Sequence, residues 1–425
     1  MKKNLLLLSC ICTTSLMLSA QSIVQRLFEL PDVIFDEIES ADGFQQTFEL
    51  RIKQPLDHQN PNKGHFYQKV FLSHRDFAAP MVMVTEGYNR NRNRIYELTE
   101  LLEANQLDIE HRYFGKSIPD SLDYTYLNLE QATADYHRIN QLFKQIYQTS
   151  WLSTGISKGG ATTIFYKYFF PDDVVASVPY VAPINRSFED PRIYEFLRTI
   201  GEEACREDIL DFQKTVLRKR TELLPLLRWY NKGARYQFEY FSEEAAFELA
   251  VLEYPFSFWQ YGHDCTLIPS TDASVETLLE HLLLISGTGF FSDDQVAYYG
   301  SHYYQSAEEM GYYGYETKDF AGLLQALPMS PNPHAAFVPG KEQPVFDGQL
   351  LQKVNAWLEQ GVDRMIYING AIDTWSATAV PAYNNADALW FFMEGKHHGN
   401  ARIRNMSEAE KAQLMATLHR WLSEK

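Results

Sequence analysis

The sequence predicts an α/β fold: a mostly parallel sheet with helices on both faces, interrupted by an inserted, mainly helical cap. Three observations predict it. Apolar runs of strand length alternate with helical periodicity up to about residue 184. Between 185 and 345 the alternation gives way to long amphipathic stretches. From 346 to 425 it returns. Strands alternating with helical patterns argue for a parallel sheet covered on both sides. The expected organisation is therefore a leader at 1–20, an α/β domain in two parts at 21–184 and 346–425, and a helical insertion at 185–345. At 425 residues the chain has room for one large domain with an insertion, and 45% hydrophobic residues can supply its core.

The elements follow in order. Lys2 and Lys3, then the apolar stretch from Leu5 to Leu18 and the small pair Ser19-Ala20, read as a secretory signal cut near Ala20. A lipoprotein box at Leu7 to Cys10 is the lesser alternative, because the apolar run before Cys10 is very short. Phe44 to Ile52 and His65 to Leu72 are rich in β-formers and flank a turn-rich segment, so they form a hairpin. Pro80 to Tyr88 is a continuous apolar run stopping at Gly, the mark of a buried parallel strand. Gln106 to Arg112 is the next strand, and Asn128 to Tyr147 carries helical spacing. Ser150 to Thr154 is a strand, Lys158 to Phe170 a helix, and Val174 to Pro183 another buried strand. A tyrosine-crowded segment, Tyr298 to Tyr315, ends the insertion, and a Pro-rich connection from Pro331 to Pro344 follows. The last part reads as a helix stopped by Gly361, strands at Asp363 to Gly370 and Ala388 to Gly395, and a closing helix with Ser407 and Glu410 spaced as a capping box.

Charge and cysteine usage exclude some functions. The formal charge is −17, and losing Lys2 and Lys3 with the leader would take it to −19. Such a surface repels nucleic acid and anionic lipid. It suits a soluble exported protein, and it tolerates a cationic partner such as a peptide amino terminus. No later stretch is apolar for the roughly 18 residues a membrane helix needs. Cys205 and Cys265 alone remain beyond the leader, enough for one disulfide in an exported protein. Metal-ligand spacing is absent, so neither a metal nor a cofactor is expected.

The chemistry centres on Gly155-Ile156-Ser157-Lys158-Gly159. G-x-S-x-G also arises in ordinary turns, but here it follows an apolar strand and precedes a helix-compatible run. That is the context in which a nucleophile elbow of the α/β-hydrolase type places a serine on a sharp turn. The backbone N–H of Lys158 can then face a developing oxyanion. A serine nucleophile needs a base, and the base an orienting acid, which in this fold follow the serine with the acid first. Asp373 lies just past one strand; His397 and His398 lie just past the next. Residue chemistry does not separate the two histidines. Gly87 or Tyr88, after the strand at Pro80, can supply the second oxyanion N–H. Glu86 beside them either binds a substrate cation or pairs with Arg90, Arg92, Arg94 or Arg112.

Together, "TEGY" at Thr85, "EHRYFGKSIP" at Glu110, "TGISKGG" around Ser157, "NGAIDTW" around Asp373 and "GKHHGNAR" at Gly395 resemble the secreted prolyl tripeptidyl/tetrapeptidyl aminopeptidases, serine peptidases of the α/β-hydrolase clan. "EHRYFGKS" and "GKHH" more distantly resemble the lysosomal prolyl carboxypeptidase and dipeptidyl peptidase family. The resemblance runs from about residue 40 to the end. It implies release of short peptides, tripeptides foremost, from free amino termini by cleavage after proline. It implies Ser157 as nucleophile, Asp373 as acid, and His397 as base, since the first histidine of the pair serves in the distant relatives. It also implies Glu86 as holder of the substrate amine, Phe258 and Trp259 as a wall for a proline ring, and a Cys205–Cys265 disulfide bracing the cap. The chain departs from the distant family in having Thr374 before Trp375, and Ile156 and Lys158 beside the serine. An esterase or lipase, or a non-catalytic peptide-binding protein on the same fold, are the alternatives. The oligomeric state is not readable from the sequence.

Overall fold

A computed structural model describes residues 21–120, 122–329 and 344–424. The leader expected at 1–20 and most of the connection from Pro331 to Pro344 lie outside the described residues. The core is a nine-stranded sheet. Its strands are β1 (Val33–Ile38), β2 (Gln46–Pro55), β3 (His65–His74), β4 (Met81–Thr85), β5 (Asn105–Ile109), β6 (Trp151–Ile156), β7 (Ala176–Tyr180), β8 (Ile366–Gly370) and β9 (Leu389–Met393). Their spatial order is β1-β2-β3-β5-β4-β6-β7-β8-β9. β1 to β3 and β5 pair antiparallel, and every pairing from β5 through β9 is parallel. The parallel strands β4 to β8 are buried at every position except Ile156, as a sheet covered on both faces requires.

Helices cover both faces. On one side α1 (Ile23–Glu29), α3 (Leu129–Phe143) and α4 (Lys158–Phe169) contribute to the cores that include Tyr136, Ile139 and Tyr166, and Ala161 and Ile164. On the other, the short α2 (Glu97–Leu101) and the closing helix pack on Val82, Val84, Leu152 and Ile366. That closing helix, α12 (Glu408–Ser423), starts with the expected capping box between Ser407 and Glu410. α11 (Gln349–Glu359) ends before Gly361, whose φ of +84° is the left-handed conformation glycine adopts without a Cβ penalty.

Between β7 and β8 the described residues contain no strand of the sheet. They form α5 (Pro191–Thr199), α6 (Glu203–Arg218), α7 (Arg220–Ala234), α8 (Glu243–Tyr261), α9 (Val275–Ile285) and α10 (Asp293–Gln305), the last running into one turn of π-helix at Ser306–Met310. Two apolar clusters hold these helices. One centres on Phe212, Leu227, Val251 and Leu282, the other on Ile193, Phe291, Tyr303 and Tyr313. Cys205 and Cys265 are disulfide-bonded, closing a 60-residue separation between α6 and the turn after α8. α8 carries Pro255 in its interior, which removes the hydrogen bond to the carbonyl four residues back. That carbonyl, on Val251, accepts instead from Gln213 Nε2 at 2.6 Å.

Candidate active site

β6 ends at the centre of the sheet, and the chain turns directly into α4. Ser157 occupies the turn with φ +60° and ψ −125°, a conformation L-residues rarely hold. The flanking glycines permit the crossing. A Cβ on Gly155 would lie 2.2 Å from the Gly159 carbonyl oxygen, and one on Gly159 would lie 2.7 Å from the Thr85 carbonyl oxygen. Any side chain at either place would force the strand and helix apart. Lys158 is the first residue of α4, so its backbone N–H has no carbonyl four residues back to bond within the helix.

The loop after β4 presses against this turn. A Cβ on Gly87 would meet Lys158 Cβ at 2.6 Å and Gly159 N at 2.8 Å. The Gly87 carbonyl accepts from Lys158 Nζ at 2.7 Å. The ammonium also sits over the rings of Tyr88 and Phe114, at 5.3 and 4.8 Å from their centroids. Burial pulls its pKa down to about 7, against the opposing attraction of Glu309.

Asp373 follows β8, fully buried at the start of a 3-10 turn. Its Oδ1 accepts from the Trp375 N–H at 3.1 Å, and its Oδ2 lies 2.7 Å from His398 Nδ1. A carboxylate only accepts, so the proton of that bond belongs to Nδ1, leaving Nε2 of a neutral ring as the free base. α8 holds both partners. The Phe256 carbonyl accepts from Thr374 Oγ1 at 2.9 Å, and the Gln260 carbonyl accepts from the His398 N–H at 3.0 Å.

Here the structure departs from the expectation for His397. Its ring stands against Gly262, with Cδ2 2.8 Å from where a Cβ would be, and its Nδ1 accepts from the Gly399 N–H at 3.2 Å. The Asn400 side chain takes its backbone N–H. Consecutive residues in this turn point in different directions, and His398 is the one directed at Asp373.

Ser157, Lys158 and His398 line one cavity of about 410 Å3, within the roughly 300–1,000 Å3 typical of small-ligand sites. Its other wall comes from the inserted helices and the turn after β8, with Glu253, Phe256, Ser257, Tyr313 and Trp375 among its residues. The three residues expected to bind substrate lie elsewhere, and of the two expected N–H donors after β4 the lining includes Tyr88 but not Gly87. Glu86 forms an ion pair with Arg90 and accepts from the Tyr96 hydroxyl, and it is not part of the cavity lining. The loop arginine four residues on satisfies the carboxylate before a substrate can. Phe258 and Trp259 point into the core of the insertion, against each other and against residues such as Tyr254 and His263. The cavity side of α8 is instead Glu253, Phe256, Ser257, Gln260 and Tyr261, spaced as one helix face. That spacing was present in the sequence. So were two acids, Glu248 and Glu253, in the mostly apolar run Ala245 to Tyr261, and only the fold shows that Glu253 is the one facing the cavity.

The parallel sheet, the turn that carries Ser157 and the later Asp373–His398 pair define an α/β-hydrolase. The sequence model of the family described as PS-10 peptidase S37 matches residues 18–424, and the chain belongs to that family of serine peptidases. It is 30% identical over 410 residues to a prolyl tri/tetrapeptidyl aminopeptidase of Streptomyces mobaraensis, covering 94% of this chain and 84% of the relative. A prolyl carboxypeptidase-like protein of Caenorhabditis elegans is 27% identical over 188 residues, covering 38% of this chain and 37% of the relative. Among solved structures, a proline iminopeptidase of Mycobacterium smegmatis aligns over 88% of this chain and 98% of its own, with a TM-score of 0.43 and 12% identity. No helix among the described residues is long and apolar enough to cross a membrane.

Proposed function

We propose that this chain is a secreted serine exopeptidase that releases short peptides, tripeptides foremost, from free amino termini by cutting after proline. The observation that carries the reading is one cavity lined by Ser157 and by His398, the latter bonded to buried Asp373. Ser157 Oγ attacks the scissile carbonyl carbon while His398 Nε2 takes its proton. Asp373 holds the ring with Nδ1 protonated and stabilises the imidazolium that forms. The tetrahedral oxyanion meets the backbone N–H of Lys158, and a second N–H comes from Gly87 or Tyr88. Collapse breaks the C–N bond, and His398 returns the proton to the leaving amine. Water then hydrolyses the acyl-enzyme with His398 as base again.

The aromatic wall supports the preference for proline. Phe256 stacks on Tyr313 with centroids 3.9 Å apart, and Trp375 meets Phe256 edge-on at 5.1 Å. Flat apolar faces of this kind suit a pyrrolidine ring, which carries no N–H to satisfy. The name of the Streptomyces relative supports the same specificity. Export is supported by the leader pattern at 1–20 and by the Cys205–Cys265 disulfide, since disulfides persist in oxidising compartments.

The test is Ser157→Ala in protein lacking residues 1–20. Turnover of a prolyl tripeptide reporter should fall by about 10³-fold or more, with the thermal transition retained. A fluorophosphonate should label the parent protein at Ser157 and leave the variant unlabelled. Retained turnover in the alanine variant would refute the reading.

A further inference from the structure

α8 buries two carboxylates, and they are treated differently. Glu248 is neutralised: it pairs with Arg220 and accepts from the backbone N–H groups of Gln325, Ala326 and Leu327. Glu253, five residues on, has no cationic partner among the described residues. Its Oε2 accepts from the hydroxyls of Tyr313 at 2.9 Å and Tyr315 at 2.8 Å, and its Oε1 from Ser257 at 2.9 Å. Among the described residues it takes part in no ion pair. Only 5% of the residue is exposed, and what it faces is the cavity shared with Ser157 and His398.

A buried carboxylate is costly unless a charge or hydrogen bonds compensate it. Three hydroxyls orient and partly stabilise Glu253, yet none carries charge. Burial holds its pKa up at about 7, and no cationic group contributes to lowering it. A position beside Glu253 in the cavity therefore suits an ammonium, which there meets a carboxylate already oriented by three hydroxyls. The same face of α8 runs on to Gln260, whose carbonyl accepts from the His398 N–H, so Glu253 and the acid–histidine pair border one cavity.

We infer that Glu253 receives the α-ammonium of the peptide substrate and so sets how far the chain reaches before the bond at Ser157. This rests on the exopeptidase reading above. It also supplies what Glu86, engaged by Arg90, does not. Binding the amine gives Glu253 the ion pair that no described side chain provides, so the carboxylate works as a length gauge: a peptide whose amine falls short of it, or is blocked, forfeits the pair.

The experiment is a cycle on the protein lacking residues 1–20. Glu253→Gln and Glu253→Asp are compared with the parent on a prolyl tripeptide reporter with a free amine and on its des-amino analogue of equal length. Rates of fluorophosphonate labelling at Ser157 are measured in parallel. The parent should prefer the free amine, and Glu253→Gln should lose about 100-fold or more in kcat/KM for it, mostly through KM. The same variant should change less than about threefold on the des-amino analogue and in labelling rate. Glu253→Asp, which keeps the charge but withdraws it, should fall between. Equal losses on both substrates, or an unchanged KM for the free amine, would overturn the assignment while leaving the exopeptidase reading intact. A parent that labels normally but cleaves neither peptide would overturn both. Should Glu253→Gln fail to fold, the Asp variant and the parent's own preference for the amine decide the matter.

Discussion

Ser157 sits in a backbone conformation that costs about 1–3 kcal/mol, and the packing of β6, α4 and the Gly87 loop holds it there. The elbow was readable because its requirements are local: small residues on either side of a serine, between a strand and a helix. Asp373 was readable for the same reason, by its place just past a strand. The histidine was not. His397 and His398 are neighbours of the same type, and their directions follow from the turn after β9. There Asn400 takes one backbone N–H and the Gln260 carbonyl takes the next. The second of these contacts spans distant parts of the chain, so no local pattern carries it. The expected outcome is asymmetric. His398→Ala should lower kcat by about 10³-fold or more, while His397→Ala should stay within about threefold. Steady-state kinetics on one peptide reporter checks both; a reversed order would restore His397.

At the scale of elements, the alternation of strand and helix was legible from Phe44 onward, because buried parallel strands and amphipathic helices carry distinct periods. β1 was not anticipated. Its segment, Val33 to Ile38, mixes apolar and acidic residues and lies at the sheet edge, so its order comes from pairing with β2 in the register Val33↔Ile52. α8 shows the opposite error. Its aromatic residues invited a role for Phe258 and Trp259, but apolar residues occur all round this helix, and only the fold decides which face meets the cavity. The disulfide between α6 and the turn after α8 constrains the element that presents Glu253, Phe256 and the carbonyls holding Thr374 and His398. Cys205→Ser should therefore lower stability by about 4 kcal/mol, as expected for a cross-link over some 60 residues. It should also reduce peptide turnover before global unfolding. Denaturant melts with parallel activity measurements check this; coincident loss of both signals would mean that the bond only stabilises the whole.

Taken as a whole molecule, an acidic chain places a hydrolase sheet under inserted helices, and the cavity draws on both. The sheet side contributes Ser157, Lys158 and His398; the inserted helices contribute Glu253 and most of the aromatic wall. Sequence reading found the sheet side because hydrolytic chemistry imposes an order along the chain. The other side was not legible, because the residues with which α8 faces the cavity follow no local order along the chain, only a shared surface. The most direct measurement is the ratio of kcat/KM for Ala-Ala-Pro-reporter with a free amine to that for the same peptide acetylated, using the parent protein without residues 1–20. The account predicts a ratio of about 100 or more. A ratio near one would contradict it and would describe an open, endopeptidase-like site instead.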